Sequence, residues 1–352
     1  MLDYSVKFIN YPLQYQNIKK EIDSATQDCL SRGDLILRKD VEEFEHNLAS
    51  FLGVKYAIGV NSGTDALTIA LKTFNIGPGH EVITSGHTFW ATAEAILNVG
   101  AKPRFVGINY NLTMNTREIK NAINSHTKAI IPVHLAGEMC DMEKIIDISN
   151  QNNLIVIEDA AQALGAKQEG ISAGTWGDVG CFSFYPAKIL GAYGDAGALV
   201  TDNINVAEIT RELRNHGNRG KREGGINSRL DNLQAAILNV KFKYLKDAIT
   251  RRKEIAILYD SGLLGCDKLL LPRPREIYQD YIVNASAYQL SLFQFLKDNG
   301  IETILDHYDF PDNFRRPESV ETLRALRLPI DPVLTNEQVN YVIIKIKEFY
   351  EK

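Results

Sequence analysis

The chain has no cysteine pairing of the kind that builds a metal site or a disulfide framework. Cys29, Cys140, Cys181 and Cys266 are its four cysteines and lie far apart, so they read as structural thiols. It also lacks an excess of positive charge. With 39 basic side chains against 44 acidic ones, the overall field gives no reason to expect a nucleic-acid partner. No apolar run approaches the length of a membrane span, and the start, Met1-Leu2-Asp3-Tyr4, has neither the basic nor the apolar part of a secretory signal. The expectation is a soluble, cytoplasmic protein that engages no membrane. Internal repeats and low-complexity linkers are absent. The glycines do not form a Gly-x-Gly-x-x-Gly turn after the first strand, which weighs against a dinucleotide-binding enzyme.

What is present is an alternation of apolar runs and helical stretches. Helical spacing covers 14–31 and 40–52, where Val41, Phe44, Leu48 and Phe51 share a face. Ala57-Ile58-Gly59-Val60 reads as a buried strand followed by a helix to Phe74, with Ala66, Leu67, Ala70 and Leu71 inward. Strands at 81–83, 104–106 and 129–133 each precede a helix, around 91–99, 116–124 and 141–151. Further strands follow at 154–158, 180–185 and 197–201, then a basic segment at 211–222 and a long helix from about 229 to 259, broken or bent. Beyond it, 280–286, a helix at 288–299 and a terminal helix at 335–350 form a different pattern. The fold class is therefore α/β, with a mostly parallel sheet between helices over 1–240, including the N-terminal helices, and a smaller C-terminal α+β domain over 241–352. Ligands of such sheets gather at strand carboxyl ends.

Two residues at such ends carry the functional reading. The apolar run Leu154-Ile155-Val156-Ile157 ends in Glu158-Asp159, and Lys188 follows Phe182-Ser183-Phe184-Tyr185-Pro186-Ala187. An amine and a buried carboxylate so placed suit pyridoxal 5'-phosphate. The lysine joins the cofactor's aldehyde as an imine, and the carboxylate keeps the ring nitrogen protonated, so that the ring withdraws electrons from a developing carbanion. Taken singly, Asp159 is an ordinary turn cap and Lys188 a surface lysine; their joint context reverses those readings. Asn61-Ser62-Gly63-Thr64 lies between a strand and a helix, where free amides and the helix dipole attract a phosphate, although a plain helix cap explains the same residues. Ser183 alternates against Phe182 and Phe184, which turns its hydroxyl away from those rings. Phe89 suits stacking on a pyridine face, while Trp90 suits the core or an interface. His87 and His134 are candidates for proton transfer, although a lone histidine is more often a hydrogen-bonded structural residue and nothing singles out a general base.

Together these segments resemble the DegT-type nucleotide-sugar aminotransferases, which depend on pyridoxal phosphate and have the type I aminotransferase fold. The resemblance spans nearly the whole chain and rests on five ordered motifs. These are residues 59–67, Glu158-Asp159-Ala160-Ala161-Gln162, residues 182–188, Gly191-Ala192-Tyr193-Gly194-Asp195 and residues 225–236. It implies that Lys188 and Asp159 are catalytic, that Gln162 bonds the cofactor's ring oxygen, and that Gly63, Thr64 and Ser183 hold its phosphate. Phe89 would stack on the ring. It also implies that Asn227 reaches the phosphate of the neighbouring subunit, giving a homodimer with shared active sites. The implied reaction moves an amino group from L-glutamate, through the pyridoxamine phosphate form, to a nucleoside-diphosphate-linked keto-sugar. The amino sugar then serves glycan, lipopolysaccharide or antibiotic assembly.

Lysine at 188 separates the chain from the family's dehydratases, which carry histidine there. Two departures concern the acceptor: Ala136 stands where relatives commonly have tyrosine, and the stretch between His216 and Asn227 is short. Arg219, Lys221, Arg222 and Arg229 suit a pyrophosphate or the glutamate carboxylate, and a solvated basic loop suits the first three equally. His307 and Tyr308 are candidate wall residues. The alternatives are an aminotransferase of a small keto acid and a noncatalytic binding or regulatory protein of the same fold.

Overall fold

The computed structural model describes residues 4–306, 314, 317–321 and 324–351; His307 and Tyr308 lie outside them. Its main sheet is built from β1 (Tyr56–Val60), β2 (Glu81–Ser85), β3 (Lys102–Val106), β4 (Thr127–Ile131) and β5 (Ile155–Asp159). A two-stranded excursion, β6 (Lys167–Gln168) and β7 (Ile171–Ser172), precedes β8 (Val179–Ser183) and β9 (Gly197–Thr201). The seven strands of the main sheet lie in the order β1-β9-β8-β5-β4-β2-β3. β3, β2, β4, β5 and β8 pair in parallel; β2, β4, β5 and β8 are buried along most of their length, as expected of strands covered on both faces, while the edge strand β3 exposes Lys102 and Arg104. β9 runs against both β8 and β1.

That reversal builds the site. Because β9 is antiparallel, its start faces the ends of both neighbours, with Gly197 opposite both Val60 and Ser183. In the parallel pair β5–β8, Asp159 lies opposite Cys181. The carboxyl ends of β1, β5 and β8 therefore open on one edge of the sheet. Lys188 sits in the β8–β9 connection above that edge.

The expected helices follow the strands at Gly63–Thr73, Trp90–Asn98, Thr116–Ala122 and Met142–Asn152. The helix Lys39–Leu52 buries Val41, Phe44 and Leu48 as its spacing indicates, but Leu52 completes the face. Phe51 stands at the rim, packing edge-to-face on Phe242. The long helix over 229–259 is two helices, Asn232–Phe242 and Leu245–Gly262. Together they join two cores: Ala235, Leu238 and, at the start of the second helix, Leu245 pack with Phe44 and Phe182, whereas Ile255, Ala256 and Tyr259 pack with Tyr281, Leu326 and Val342. A further helix, Ile204–Leu213, covers the start of the segment read as merely basic; the Asn203 side chain caps it by accepting from the amides of Asn205 and Val206.

The C-terminal region forms a second sheet from β10 (Tyr281–Asn284), β11 (Ile304–Asp306) and β12 (Ala325–Leu328), in the order β10-β12-β11. The helices Gln289–Asp298 and Asn336–Glu351 pack with it. We propose a domain division near residue 240, supported by this change of core. One piece crosses it: Val6 is buried in the C-terminal core and bridges Ile301.

Candidate active site

A cavity of about 720 Å³ opens at the sheet edge, and Lys188 and Asp159 both line it. Gly63, Thr64, Phe89, Gln162 and Ser183 share its wall. Seven sequence candidates that span 126 positions of chain, from Gly63 to Lys188, thus meet in one space.

One end is formed by the turn from β1 into the helix Gly63–Thr73. Ser62 caps that helix, its Oγ accepting from the Asp65 amide at 3.1 Å. The capping reading is therefore correct for Ser62. The amides of Gly63 and Thr64 precede the first intrahelical bond, from the Ala66 amide to Ser62 O, and both residues line the cavity. Ser228 stiffens the turn by donating to Asp65 Oδ2 at 2.6 Å and accepting from the Asn61 amide at 3.2 Å. Opposite lies Ser183, whose Oγ accepts from the Tyr185 amide at 3.3 Å and retains its proton for donation. Phe182 and Phe184 are buried on the other side of the strand, so the alternation read from sequence holds. A Cβ on Gly63 would lie 2.7 Å from Ser183 Cβ, so only glycine permits this approach.

Asp159 forms a deeper part of the wall. Its Oδ2 accepts from Thr92 Oγ1 at 2.7 Å and its Oδ1 from the Ala161 amide at 3.2 Å. Thr92 is in turn 2.7 Å from Thr88 Oγ1. Burial raises the carboxyl above its ordinary pKa, and the Thr92 and Ala161 bonds only partly oppose it. Such a group calls for a cation. The Lys188 amine is pushed below the ordinary lysine value, again chiefly by burial; Asp280 and Asp159 oppose the shift and Arg327 adds to it. A lysine with a lowered pKa offers more of the free amine that attacks a carbonyl.

Gln162 Oε1 accepts from the Ala136 amide at 2.8 Å, fixing the side chain at the cavity wall. Phe89 begins the turn before the helix Trp90–Asn98 and leaves 61% of its surface exposed at the mouth. His134 is no proton-transfer group here. It is fully buried, its Nε2 lies 2.9 Å from Glu158 Oε2, and the Cys140 amide donates to its Nδ1 at 3.2 Å. Glu158 also receives the amides of Gly174, Trp176 and Gly177, so the pair orders the loop before β8. His87 is buried and does not line the cavity.

Asn227, Arg219 and Arg229 do not line the cavity either. Asn227 is exposed in a bridge to Asn215, and Arg229 donates to Asn215 Oδ1 at 3.2 Å. Arg219 belongs to a left-handed turn in which His216, Gly217, Asn218 and Arg219 all have φ between 52° and 61°. Sequence reasoning missed the far wall: Arg252, Gln279, Asp280 and Arg327 also line the cavity. Arg327 Nη1 donates to Asp280 Oδ2 at 3.0 Å. Their one visible signal was polar or charged residues beside or within apolar strand runs, as in Gln279-Asp280 before Tyr281-Ile282-Val283 and Arg327 within Ala325-Leu326-Arg327-Leu328. Among the described residues, no cluster of side chains could hold a metal ion.

The chain is 38% identical to a pleiotropic regulatory protein of Geobacillus stearothermophilus, with 98% of this chain and 99% of that one covered. It is 39% identical to the UDP-2-acetamido-2-deoxy-3-oxo-D-glucuronate aminotransferase of Pseudomonas aeruginosa, over 96% and 98% of the two chains. Its structure superposes on that of S. venezuelae DesV in complex with a ketimine intermediate with a TM-score of 0.93, at 35% identity and 99% coverage of both chains. The model of the DegT/DnrJ/EryC1/StrS aminotransferase family matches residues 16–347. With the lysine, the carboxylate and the strand-end turn in one cavity and a family match across nearly its whole length, this chain belongs to the DegT/DnrJ/EryC1/StrS aminotransferase family.

Proposed function

We propose that the protein is a pyridoxal phosphate-dependent aminotransferase that moves an amino group from L-glutamate to a nucleoside-diphosphate-linked keto-sugar, forming an amino sugar. The observation that carries this reading is the meeting of Lys188, Asp159 and the Gly63–Ser183 approach in one cavity. The residues fit the cofactor. The cavity volume is in the range of small-molecule sites, the amides of Gly63 and Thr64 with the Ser183 hydroxyl suit a phosphate, and a buried carboxylate suits a pyridinium. When bound, the cofactor supplies an aldehyde that takes up the amine and a cationic ring that stabilises negative charge on the reacting carbon.

The chain's own residues supply the rest. Lys188 holds the cofactor through its amine and, once released, carries a proton at Nζ between donor and acceptor atoms. Asp159, held by Thr92 and Ala161, keeps a positive charge on the ring nitrogen. Phe89 and Gln162, which line the same cavity, would stack on the cofactor's ring and hydrogen-bond its oxygen. We assign the roles of Asn227, Arg219 and Arg229 to a homodimer in which the 215–229 segment serves the neighbouring site. This is supported by the exposure of Asn227 and by Phe89 and Tyr185, which leave 61% and 53% of their surfaces open at the cavity mouth. Amination at the sugar's third carbon is the form favoured by the 3-oxo substrate in the name of the Pseudomonas relative. We place the enzyme in the cytoplasm, in keeping with four free cysteines; no described helix is long and apolar enough to cross a membrane.

The test is the visible spectrum of the purified protein given pyridoxal phosphate, before and after L-glutamate, with Lys188→Ala in parallel. The expected result is a Schiff-base band that converts to the pyridoxamine form in wild type only, followed by amination of a nucleotide 3-keto-sugar detected by mass. Wild-type turnover in Lys188→Ala, or a preference for simple keto acids over nucleotide sugars, would overturn the reading. A protein that binds no cofactor would leave the regulatory reading suggested by the Geobacillus relative in its place.

A further inference from the structure

Lys188 lies in a connection of 13 residues, 184–196, between β8 and β9, and has no regular element to fix it. Its own amide donates to Tyr185 O at 2.8 Å, which closes a turn but leaves the peptides on either side to be held from elsewhere. A single side chain holds both. Gln279 Nε2 donates to Ala187 O at 2.9 Å, and Gln279 Oε1 accepts from the Ile189 amide at 3.0 Å. The two bonds bracket the lysine by one residue on each side.

Gln279 is itself immobilised. It is 6% exposed, its amide donates to Ala136 O at 3.2 Å, and its carbonyl accepts from the buried Arg252 guanidinium at 3.1 Å. Arg252 also reaches Tyr278 O at 3.4 Å. Tyr278 and Tyr281, on either side of Gln279 and Asp280, belong to the C-terminal core. The C-terminal core thus presents, some 90 residues after the lysine in sequence, an amide that matches the donor and acceptor of the lysine's own backbone.

We propose that Gln279 is a positioning residue for Lys188: its amide sets the origin from which the lysine side chain reaches the reacting carbonyl, and it carries that constraint from the C-terminal core. This rests on the reading of Lys188 as the imine-forming lysine. A buried glutamine that only satisfied stray backbone groups would contribute to stability. One that brackets the lysine also sets its rate of reaction, because a displacement of about 1 Å at a reacting group reduces rates by up to about a hundredfold.

Gln279→Met keeps the volume and removes both bonds. Apoprotein is mixed with pyridoxal phosphate, reduced with borohydride at timed intervals and mapped by peptide mass, which gives the rate of linkage at Lys188. Equilibrium dialysis of Lys188→Ala and of Lys188→Ala/Gln279→Met gives the noncovalent affinity, and a thermal melt gives stability. The expected result is linkage slowed about tenfold or more, with noncovalent affinity within about threefold. Gln279→Glu keeps an acceptor for the Ile189 amide but has no donor for Ala187 O, and is expected to fall between; it decides the matter if the methionine variant does not fold. A variant that melts lower yet links at the wild-type rate overturns the proposal. Linkage at another lysine in wild type overturns the reading of Lys188 itself, and the bracket's function with it.

Discussion

Gly63→Ala is the perturbation that probes the proposed phosphate end with the least ambiguity. The added Cβ would lie 2.7 Å from Ser183 Cβ, 3.2 Å from Ser183 Cα and 3.3 Å from Ser183 Oγ. Ordinary contact begins at 3.4 Å, so the helix start and the end of β8 must separate by about 0.7 Å. Neither side is a flexible side-chain end. Ser183 is held in register with Gly197, and the helix is capped by Ser62 and braced by Ser228. Overpacking of this kind costs about 1–3 kcal/mol, while alanine's better helix propensity returns up to about 1 kcal/mol. Stability should therefore fall by about 3 kcal/mol at most, and by less where the helix propensity is realised. Affinity should fall further in proportion. A gap of that size removes one charge-assisted hydrogen bond to a phosphate, about 1.5–3 kcal/mol, or roughly ten- to hundredfold in the cofactor's dissociation constant. The assay is cofactor titration by fluorescence with inorganic phosphate as competitor. Ser183→Gly supplies the control, since it removes two of the three clashing atoms and leaves only the 3.2 Å approach to Cα. Adding Gly63→Ala to Ser183→Gly should then weaken binding far less than adding it to wild type, with a coupling of about 1 kcal/mol or more. Equal losses in both backgrounds, or unchanged competition by phosphate, would refute the reasoning.

Three further outcomes are expected. Mixing Lys188→Ala with Asn227→Ala subunits should restore roughly one quarter of wild-type activity, because half the dimers are mixed and each mixed dimer has one complete site; no recovery after verified exchange, read by native mass spectrometry, would exclude donation across the interface. In Asp280→Asn, Lys188 loses the acid that does most to raise its pKa and keeps Arg327, which lowers it, so the pH midpoint of cofactor capture by apoprotein should move down; stopped-flow absorbance checks the direction, and an upward move would be wrong in sign. Asp159 has a folded-state pKa above the unfolded one, so its ionisation destabilises the apoprotein progressively as pH rises through the unfolded and then the folded value. Asp159→Asn should accordingly melt higher than wild-type apoprotein at neutral pH, lose that advantage in acid, and retain cofactor more weakly; calorimetry of both forms with and without cofactor reads all three.

What the sequence revealed of this site and what it hid follow one physical division. Asp159, Ser183 and Lys188 were legible because each is a polar or charged residue at the end of an apolar run, and such a residue must face a ligand, a cap or solvent. Gly63 was legible as the glycine of a strand-to-helix turn. Direction was not: nothing in Gly197-Ala-Leu-Val-Thr201 distinguishes an antiparallel strand from a parallel one, since all five residues are buried on both faces. Yet that direction is what brings Gly197 against both Val60 and Ser183. The place of the break in the long helix, Lys243-Tyr244, was equally silent, having no proline or glycine to mark it. The change of core comes later, inside the second helix, between Ile249 and Ile255. His134 took the structural reading, and its partner Glu158 was beyond sequence because an imidazole has the same one-letter appearance whether it faces a ligand or a buried glutamate.

The walls that no local pattern announced are those that join the two ends of the chain. Asp331 accepts from the Asn10 amide at 2.6 Å and from Gln14 Nε2 at 2.9 Å, and Glu302 accepts from the Phe8 amide at 2.9 Å. These carboxylates of the C-terminal body fix the N-terminal segment, and Phe8, Ile9 and Tyr11 thereby line the same cavity as Lys188. Gln279 reaches that cavity from the same body and grips the lysine's backbone. The main sheet thus contributes the groups proposed to do the chemistry, at strand ends fixed by register. The C-terminal body contributes the constraints on them, through bonds that span 90 to 321 residues of sequence. A change that loosens the C-terminal core should therefore reach the lysine before it reaches Asp159, because Asp159 is held by Thr92 and Ala161 from the main sheet's side alone.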